Sequence, residues 1–496
     1  MKKKQSIAVI GGGVSGMTTA LILASFGHEV SLIERSSELG LTVRGFYRNG
    51  IYFDTGLHYT GGLGEGGILR RFLKFLGLDD LPVVSFNPEG FDTIRFYNEG
   101  REVRLPIGYD AIRSHLKEVF PNEEKVIDEY FSEARQVFMA SPLLNAESNI
   151  KKMFEEEARY DTLEMFLAER TNNKILSAVL SIHTLLHGSA PDEVSFSQHA
   201  RVAASYFDSV HTFSEGGRAL AKGFERQLAA KGVTVILGKQ VQRINFSSED
   251  EGDRIEGVTL DDGSMLDADV VVYTGHPHYL PDLVPQGLFK PAFVRRVRHL
   301  DDTPSAYMLF GVTETPLFPG SARNLFLCPS AHLSEFFKNA GDVDKGPYYV
   351  TTSPVKEKGF GVTAIARGNF SDFLPWADTV SGKRGPKYEA FKAFQLERFK
   401  EGLLKACPEL AGVRFIEGAT PLTFRDYTNS PSGALYGCKH TLAQYNPQPV
   451  TRIPNLWLAG QSVVAPGVLG AVISAFLVCG FIVGQEQLHE ELGACG

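Results

Sequence analysis

The segment Gly11-Gly12-Gly13-Val14-Ser15-Gly16 follows the run Ser6-Ile7-Ala8-Val9-Ile10, and a carboxylate, Glu34, stands about 20 residues further on. Those types at that spacing suit a dinucleotide. The apolar run predicts a strand ending at Gly11, where a tight turn needs a residue without a Cβ. Gly13 lets backbone approach a pyrophosphate, and Gly16 lets the next helix, Val14 to Phe26, pack close to the strand. That helix aims its first amides, including those of Val14 and Ser15, at the phosphates. Glu29-Val30-Ser31-Leu32-Ile33 predicts a second strand with Glu34 at its end, where a carboxylate accepts hydrogen bonds from a ribose diol and repels a 2′-phosphate.

A second block closes the chain: Asn455-Leu456-Trp457-Leu458-Ala459-Gly460-Gln461, then Ala465-Pro466-Gly467-Val468-Leu469-Gly470-Ala471. It reads as strand, loop and helix, and with the first block it predicts FAD held by a sheet built from both termini. Two other readings are set aside. Lys2-Lys3-Lys4 before an apolar stretch imitates an export signal, but four glycines, Thr18, Thr19 and Ser25 interrupt it. Asn455 to Gly484 is uncharged and long enough to span a bilayer, yet Pro466 and five glycines predict a buried cofactor helix instead.

With 496 residues, two interleaved domains are expected. A net charge of −8 without a basic stripe argues against a nucleic-acid partner. Five scattered cysteines with no CxxC pairing fit a reducing cytoplasm rather than a disulfide framework or zinc site. The expected fold class is α/β, with a Rossmann-type FAD-binding domain from residues 1–84, 211–284 and 415–496. A mixed α+β substrate domain, residues 85–210 and 285–414, is inserted into it. Within these pieces, Leu176, Val179, Leu180 and His183 share a helix face, and Gly216-Gly217 opens a helix from Arg218 to Lys231. Asp261-Asp262-Gly263 turns a β-hairpin, and Asp269-Val270-Val271-Val272-Tyr273-Thr274 predicts a strand buried on both faces.

The order of these motifs resembles the flavoprotein family of phytoene desaturases, carotenoid cis-trans isomerases and retinol saturases, a branch of the amine-oxidase-like fold. The resemblance is carried by the N-terminal loop with Glu34, by Gly50 to Tyr59, and by Gly216-Gly217. It continues through Ala419-Thr420-Pro421-Leu422-Thr423, Ser430 to Gly437 and Leu456 to Gln461, with Leu57-His58-Tyr59 resembling the retinol saturase branch. It implies an FAD enzyme acting on carbon–carbon bonds of a long apolar isoprenoid by desaturation, saturation or isomerisation. The implied FAD contacts are Gly11, Gly13, Val14, Ser15, Gly16, Glu34, Arg35, Val241, Gly460, Gln461, Gly467, Val468 and Leu469. The family usually has Gly-Gly-Arg or Gly-Gly-Lys after the acidic residue; here Gly40-Leu41-Thr42 stands there, and Arg44 is the candidate for that pyrophosphate contact.

In that family the region of His58 and Tyr59 passes near the isoalloxazine, making either a candidate to donate or take the proton that accompanies hydride transfer. The alternative is a structural histidine bonding a loop carbonyl. Asp426, in a segment that the family folds over the flavin, is a candidate acid or base, with a solvated Arg–Asp turn as the alternative. Gly62-Leu63-Gly64-Glu65-Gly66-Gly67 repeats the glycine pattern without a following ribose-binding acid, so no separate nicotinamide site is assigned. The pairs His183/His187 and His276/His278 lack further ligands in sequence, so no metal is assigned.

The expected partner is an apolar small molecule, a polyene or isoprenoid, met by a cytoplasmic protein able to associate peripherally with a membrane. Three functions stay open: a polyene oxidoreductase, a redox-neutral isomerase using reduced flavin, and a prenyl-lipid binder such as the Rab GDP-dissociation inhibitors. Amine oxidation is the runner-up among enzymes.

Overall fold

Strand Ser6–Ile10 lies at the centre of a five-stranded parallel sheet because its two faces are both apolar. The computed structural model describes residues 4–141, 143–144, 161–247, 254–318, 323–338, 342–353 and 359–495. The sheet order is Thr234–Leu237, Glu29–Glu34, Ser6–Ile10, Val270–Tyr273 and Leu456–Leu458, so both ends of the chain pair into it. Alternate residues point to opposite sides. Ile7 and Val9 join the core under the helices Val14–Ser25, Gly217–Ala230 and Gly467–Val483, while Ala8 and Ile10 join the core under a three-stranded antiparallel sheet. That smaller sheet runs Val241–Phe246, Ile255–Leu260 and Met265–Asp267. The Rossmann-type reading therefore holds.

A second, mixed sheet has seven strands in the order Arg414–Ala419, Ser305–Thr313, Phe360–Gly368, Tyr348–Thr352, Asn324–Cys328, Asp92–Phe96 and Arg101–Leu105. All its pairs are antiparallel except one, in which Asp92–Phe96 runs parallel to Asn324–Cys328 and sets Asp92 against Asn324. Helices Tyr109–Val119, Glu124–Ala140 and Phe196–Asp208 contribute to an aromatic-rich core beside it. The stretch around His183 divides into helices Leu163–Ala168 and Lys174–Ser181 and a 3₁₀ turn, Ile182–Leu186. The division follows from capping: Thr162 accepts from the Met165 amide and Asn173 from the Leu176 amide, each starting its own helix.

Helix Gly467–Val483 has 17 residues and is largely buried. Among the described residues, no helix is long and apolar enough to cross a membrane.

Candidate functional site

The first strand, the C-terminal strand and the mixed sheet meet around one cavity of about 1180 Å³. At one end it is a glycine cradle. Gly11 has φ +109°, a conformation that disfavours a side chain, and a Cβ on Gly16 would lie 1.8 Å from the Gly11 carbonyl oxygen. A Cβ on Gly13 would instead meet nothing within 4 Å, since Gly13 faces the cavity. Beside it, Ser15 Oγ is buried without a hydrogen-bond partner. An open glycine, an orphaned hydroxyl and a helix N-terminus together fit an anionic pyrophosphate.

Glu34 also lines this end. Its Oε2 accepts from the Gly12 amide at 2.6 Å and its Oε1 from the Ser36 amide at 2.8 Å. A carboxylate has about four acceptor sites, so two remain for a ribose diol. Arg35, Val241, Gly460, Gln461, Gly467 and Val468 line the same cavity, as do Gly11, Val14 and His58. Gly16 and Leu469 do not line it; Gly16 sets the close approach described above, and Leu469 packs partly buried against the helical core. Arg44 is also outside the lining: its Nε donates to the Leu39 carbonyl at 2.9 Å, and its guanidinium pairs with Glu225 and Glu38. Asp426 is likewise away from the cavity wall, its carboxylate held between Arg384 and Arg425.

The other end of the cavity is an apolar and aromatic chamber, walled among others by Leu185, Tyr206, Phe326, Tyr349, Ile365 and Leu435. Strand Tyr348–Thr352 and helix Phe196–Asp208 supply the two tyrosines. His58 and Tyr436 both face it, although they lie far apart in sequence. His58 is half-buried, its ring centroid 5.6 Å from that of Tyr349, and its Nδ1 has no hydrogen-bond partner. Burial pushes the imidazole down to about 4, so at neutral pH it is uncharged. Tyr59 lines the chamber with its phenol pushed well up, first by burial and then by the nearby Asp92 carboxylate. Its Oη donates to Asp92 Oδ2 at 3.1 Å. Sequence reasoning missed Asp92, Asn324, Tyr206 and Tyr349, whose partners come from distant segments.

The two histidines bracketing Pro277 are not equivalent. His276 Nδ1 accepts from the His278 amide at 3.3 Å, which leaves the ring proton on Nε2, donating to Asp302 Oδ1 at 2.9 Å. Cys438 Sγ lies 3.4 Å from the same Nε2, and these three ligand-capable atoms lie within 4.8 Å of one another. Ser430 and Ser432 complete the shell by donating to Asp302 Oδ2. The cluster is a satisfied hydrogen-bond network in which the histidine nitrogen nearest the cysteine already carries a proton.

A Rossmann cradle, a carboxylate at the end of the second strand and a cavity closed by the C-terminal helix define a flavin-dependent oxidoreductase. The family model described as flavin containing amine oxidoreductase matches residues 14–354; the chain belongs to that family, and FAD is its cofactor. Among individual proteins, it is 27% identical to the all-trans-retinol 13,14-reductase of Rattus norvegicus, over 100% of this chain and 88% of that one. The Danio rerio protein of the same name is 25% identical over 97% of this chain and 86% of its own. The fold matches an oxidoreductase from Methanosarcina mazei with a TM-score of 0.66 at 15% identity, covering 96% of this chain and 99% of that one.

Proposed function

We propose that this enzyme adds or removes hydrogen across a carbon–carbon bond of an apolar polyene or isoprenoid. The observation that carries this reading is the continuity of the dinucleotide cradle with an aromatic chamber in one cavity. Relatives named for all-trans-retinol span nearly the whole chain, and they support the same substrate class. A polyene presents a long apolar body with few polar handles, and such a ligand is best desolvated by aromatic and aliphatic walls.

In this reading residues 1–84, 211–284 and 415–496 bind FAD, and residues 85–210 and 285–414 cover the substrate. When bound, FAD supplies hydride chemistry at N5. The Gly13 backbone, Ser15 and the first amides of helix Val14–Ser25 hold the pyrophosphate, and Glu34 holds the ribose. Gly460, Gln461, Gly467 and Val468 close the cradle from the C-terminal side. Leu185, Phe326 and Ile365 exclude water from the reacting carbons. His58 offers an uncharged imidazole and Tyr59 a neutral phenol, both facing the chamber.

The test is anaerobic incubation of the FAD-loaded, dithionite-reduced protein with all-trans-retinol, and of the oxidised protein with phytoene, followed by mass spectrometry of the apolar extract. Gain or loss of two hydrogens per bond is the expected result. Unchanged mass with altered cis-trans geometry would replace this reading with isomerisation. If both polyenes survive intact while putrescine reduces the flavin, the enzyme is an amine oxidase.

A further inference from the structure

Behind the chamber wall lies a buried carboxylate with one cationic partner. Asp92 is 0% exposed. Its Oδ1 accepts from Asn324 Nδ2 at 2.9 Å, and its Oδ2 contacts Tyr59 Oη at 3.1 Å and His183 Nε2 at 2.9 Å. Asn324 Oδ1 accepts from Tyr349 Oη at 2.8 Å and from Thr351 Oγ1 at 2.9 Å, which fixes the amide so that its nitrogen faces Asp92. Among the described residues, His183 is the one basic side chain within ion-pair distance of Asp92. A carboxylate this deep is strongly disfavoured as an unpaired charge. One proton shared with His183 makes the pair neutral overall, whichever of the two carries it.

The pair sits among aromatic rings and uncharged imidazoles. Three aromatic rings flank the His183 ring, those of Phe91, Tyr206 and Phe207, with centroids 6.3, 5.4 and 5.8 Å away. Two further imidazoles, those of His187 and His199, lie close enough to feel His183. His187 is pushed down to about 3, by burial first and then by His440 and His183; His199 is pushed well down, by burial and then by His187 and His183. Both are therefore uncharged at neutral pH. Tyr59 is the link between the pair and the cavity: its ring lines the chamber and its hydroxyl touches Asp92.

We propose that Asp92 and His183 store one proton and pass it through the Tyr59 hydroxyl to or from the substrate carbon next to the one that exchanges hydride. The proposal rests on the polyene reading above. In the saturating direction the π bond breaks and two C–H bonds form. One would form with the hydride, carrying both electrons, that bound reduced FAD would supply; the other forms with the proton of Tyr59 Oη. Tyr59 regains a proton from Asp92 Oδ2, His183 Nε2 supplies Asp92, and the pair reloads from water after turnover. Desaturation runs the same path backwards from a pair that has lost its proton. The position of the stored proton also aims Tyr59. On Asp92 it donates to Tyr59 Oη and turns the phenol O–H into the chamber; on His183 it leaves the phenol donating to Asp92. Asp92 and His183 are positioning residues, acting through Tyr59.

The FAD-loaded protein gives two independent readouts. Proton NMR of the wild type is expected to show an exchange-protected resonance far downfield, lost in Asp92→Asn and in His183→Gln; its absence from the wild type overturns the proposal. The second readout is isotopic. Reduced enzyme equilibrated in H₂O is mixed with D₂O containing all-trans-retinol and quenched within one turnover. The product is expected to hold more protium than the solvent fraction at the carbon that receives the proton; solvent-like labelling there overturns the proposal. Tyr59→Phe and Asp92→Asn should each slow this step about 100-fold, and the double variant should be no slower than either, because the residues act in series. Multiplying losses overturn it. If a variant does not fold, the wild-type labelling decides alone. A downfield proton in an enzyme that consumes no polyene marks failure of the polyene reading, and the proton transfer falls with it; polyene turnover without the stored proton removes this inference alone.

Discussion

Glu34 already binds two backbone amides, from Gly12 and Ser36, so its carboxylate is oriented before any ribose arrives. That preorganisation makes its contribution large. Glu34→Ala should lose charge-assisted bonds of about 1.5–3 kcal/mol each, which lowers FAD affinity about tenfold to 100-fold; fluorescence titration of the apoprotein measures it. Unchanged affinity would separate Glu34 from the ribose. His58 makes a different argument. Its imidazole is uncharged down to about 4 because burial disfavours the cation. A proton or hydrogen-bond role for His58 therefore uses the neutral ring. His58→Phe should keep FAD bound while lowering turnover about 100-fold, by an amount that stays constant between about pH 5 and 8. A loss that grows or fades around the ordinary histidine range would assign the role to a charged imidazolium and sink this account.

At the scale of elements, the strand Ile51–Phe53 runs into Asp54, whose Oδ1 accepts from the Gly217 amide at 3.1 Å and from Tyr52 Oη at 2.7 Å. This contact docks the helix Gly217–Ala230 onto the chain that carries His58. Burial pushes Asp54 up from 3.8 to about 7, the two hydrogen bonds opposing it in part. The unfolded chain loses this proton near the lower value and the folded chain near the higher, so between them the folded state holds more protons. Stability from this group is thus present at low pH and declines as pH rises from about 4 to 7. Comparing urea unfolding of wild type and Asp54→Asn across that range should show the wild type losing ground to the variant; a pH-independent difference would mean that Asp54 titrates normally. The strands and helices themselves were legible because their signals are local: Val14–Ser25 and Val270–Tyr273 fall within a residue of the ends their patterns predict. Asp92 was not legible. It is one charge in the strand Asp92–Phe96, and its meaning comes from His183 and Asn324, 91 and 232 residues away. Arg44 shows the same limit: the family resemblance made it the candidate for the pyrophosphate contact, but Glu225, 181 residues on, engages its guanidinium.

The whole molecule is organised so that its two ends share one ligand. Strand Leu456–Leu458 pairs with Val270–Tyr273, which pairs with Ser6–Ile10, and helix Gly467–Val483 packs on helix Val14–Ser25 through a common core containing Met17, Leu21, Phe476 and Val478. The cradle thus has an N-terminal wall, Gly11 to Ser15, and a C-terminal wall, Gly460 to Val468, with no short covalent path between them. A ligand that touches both walls stabilises the folded chain by about 2.7 kcal/mol when present at about 100 times its Kd. Because the walls belong to one sheet, that stabilisation must appear on both together. Hydrogen exchange of the apoprotein with and without FAD should therefore slow at the amides of residues 11–16 and of residues 460–471 in parallel, and Gly13→Val should abolish both effects at once by placing a side chain where the pyrophosphate sits. Protection confined to the N-terminal wall would show that the C-terminal block closes the sheet without holding the cofactor. The family's two-ended cradle would then be reduced here to its first half.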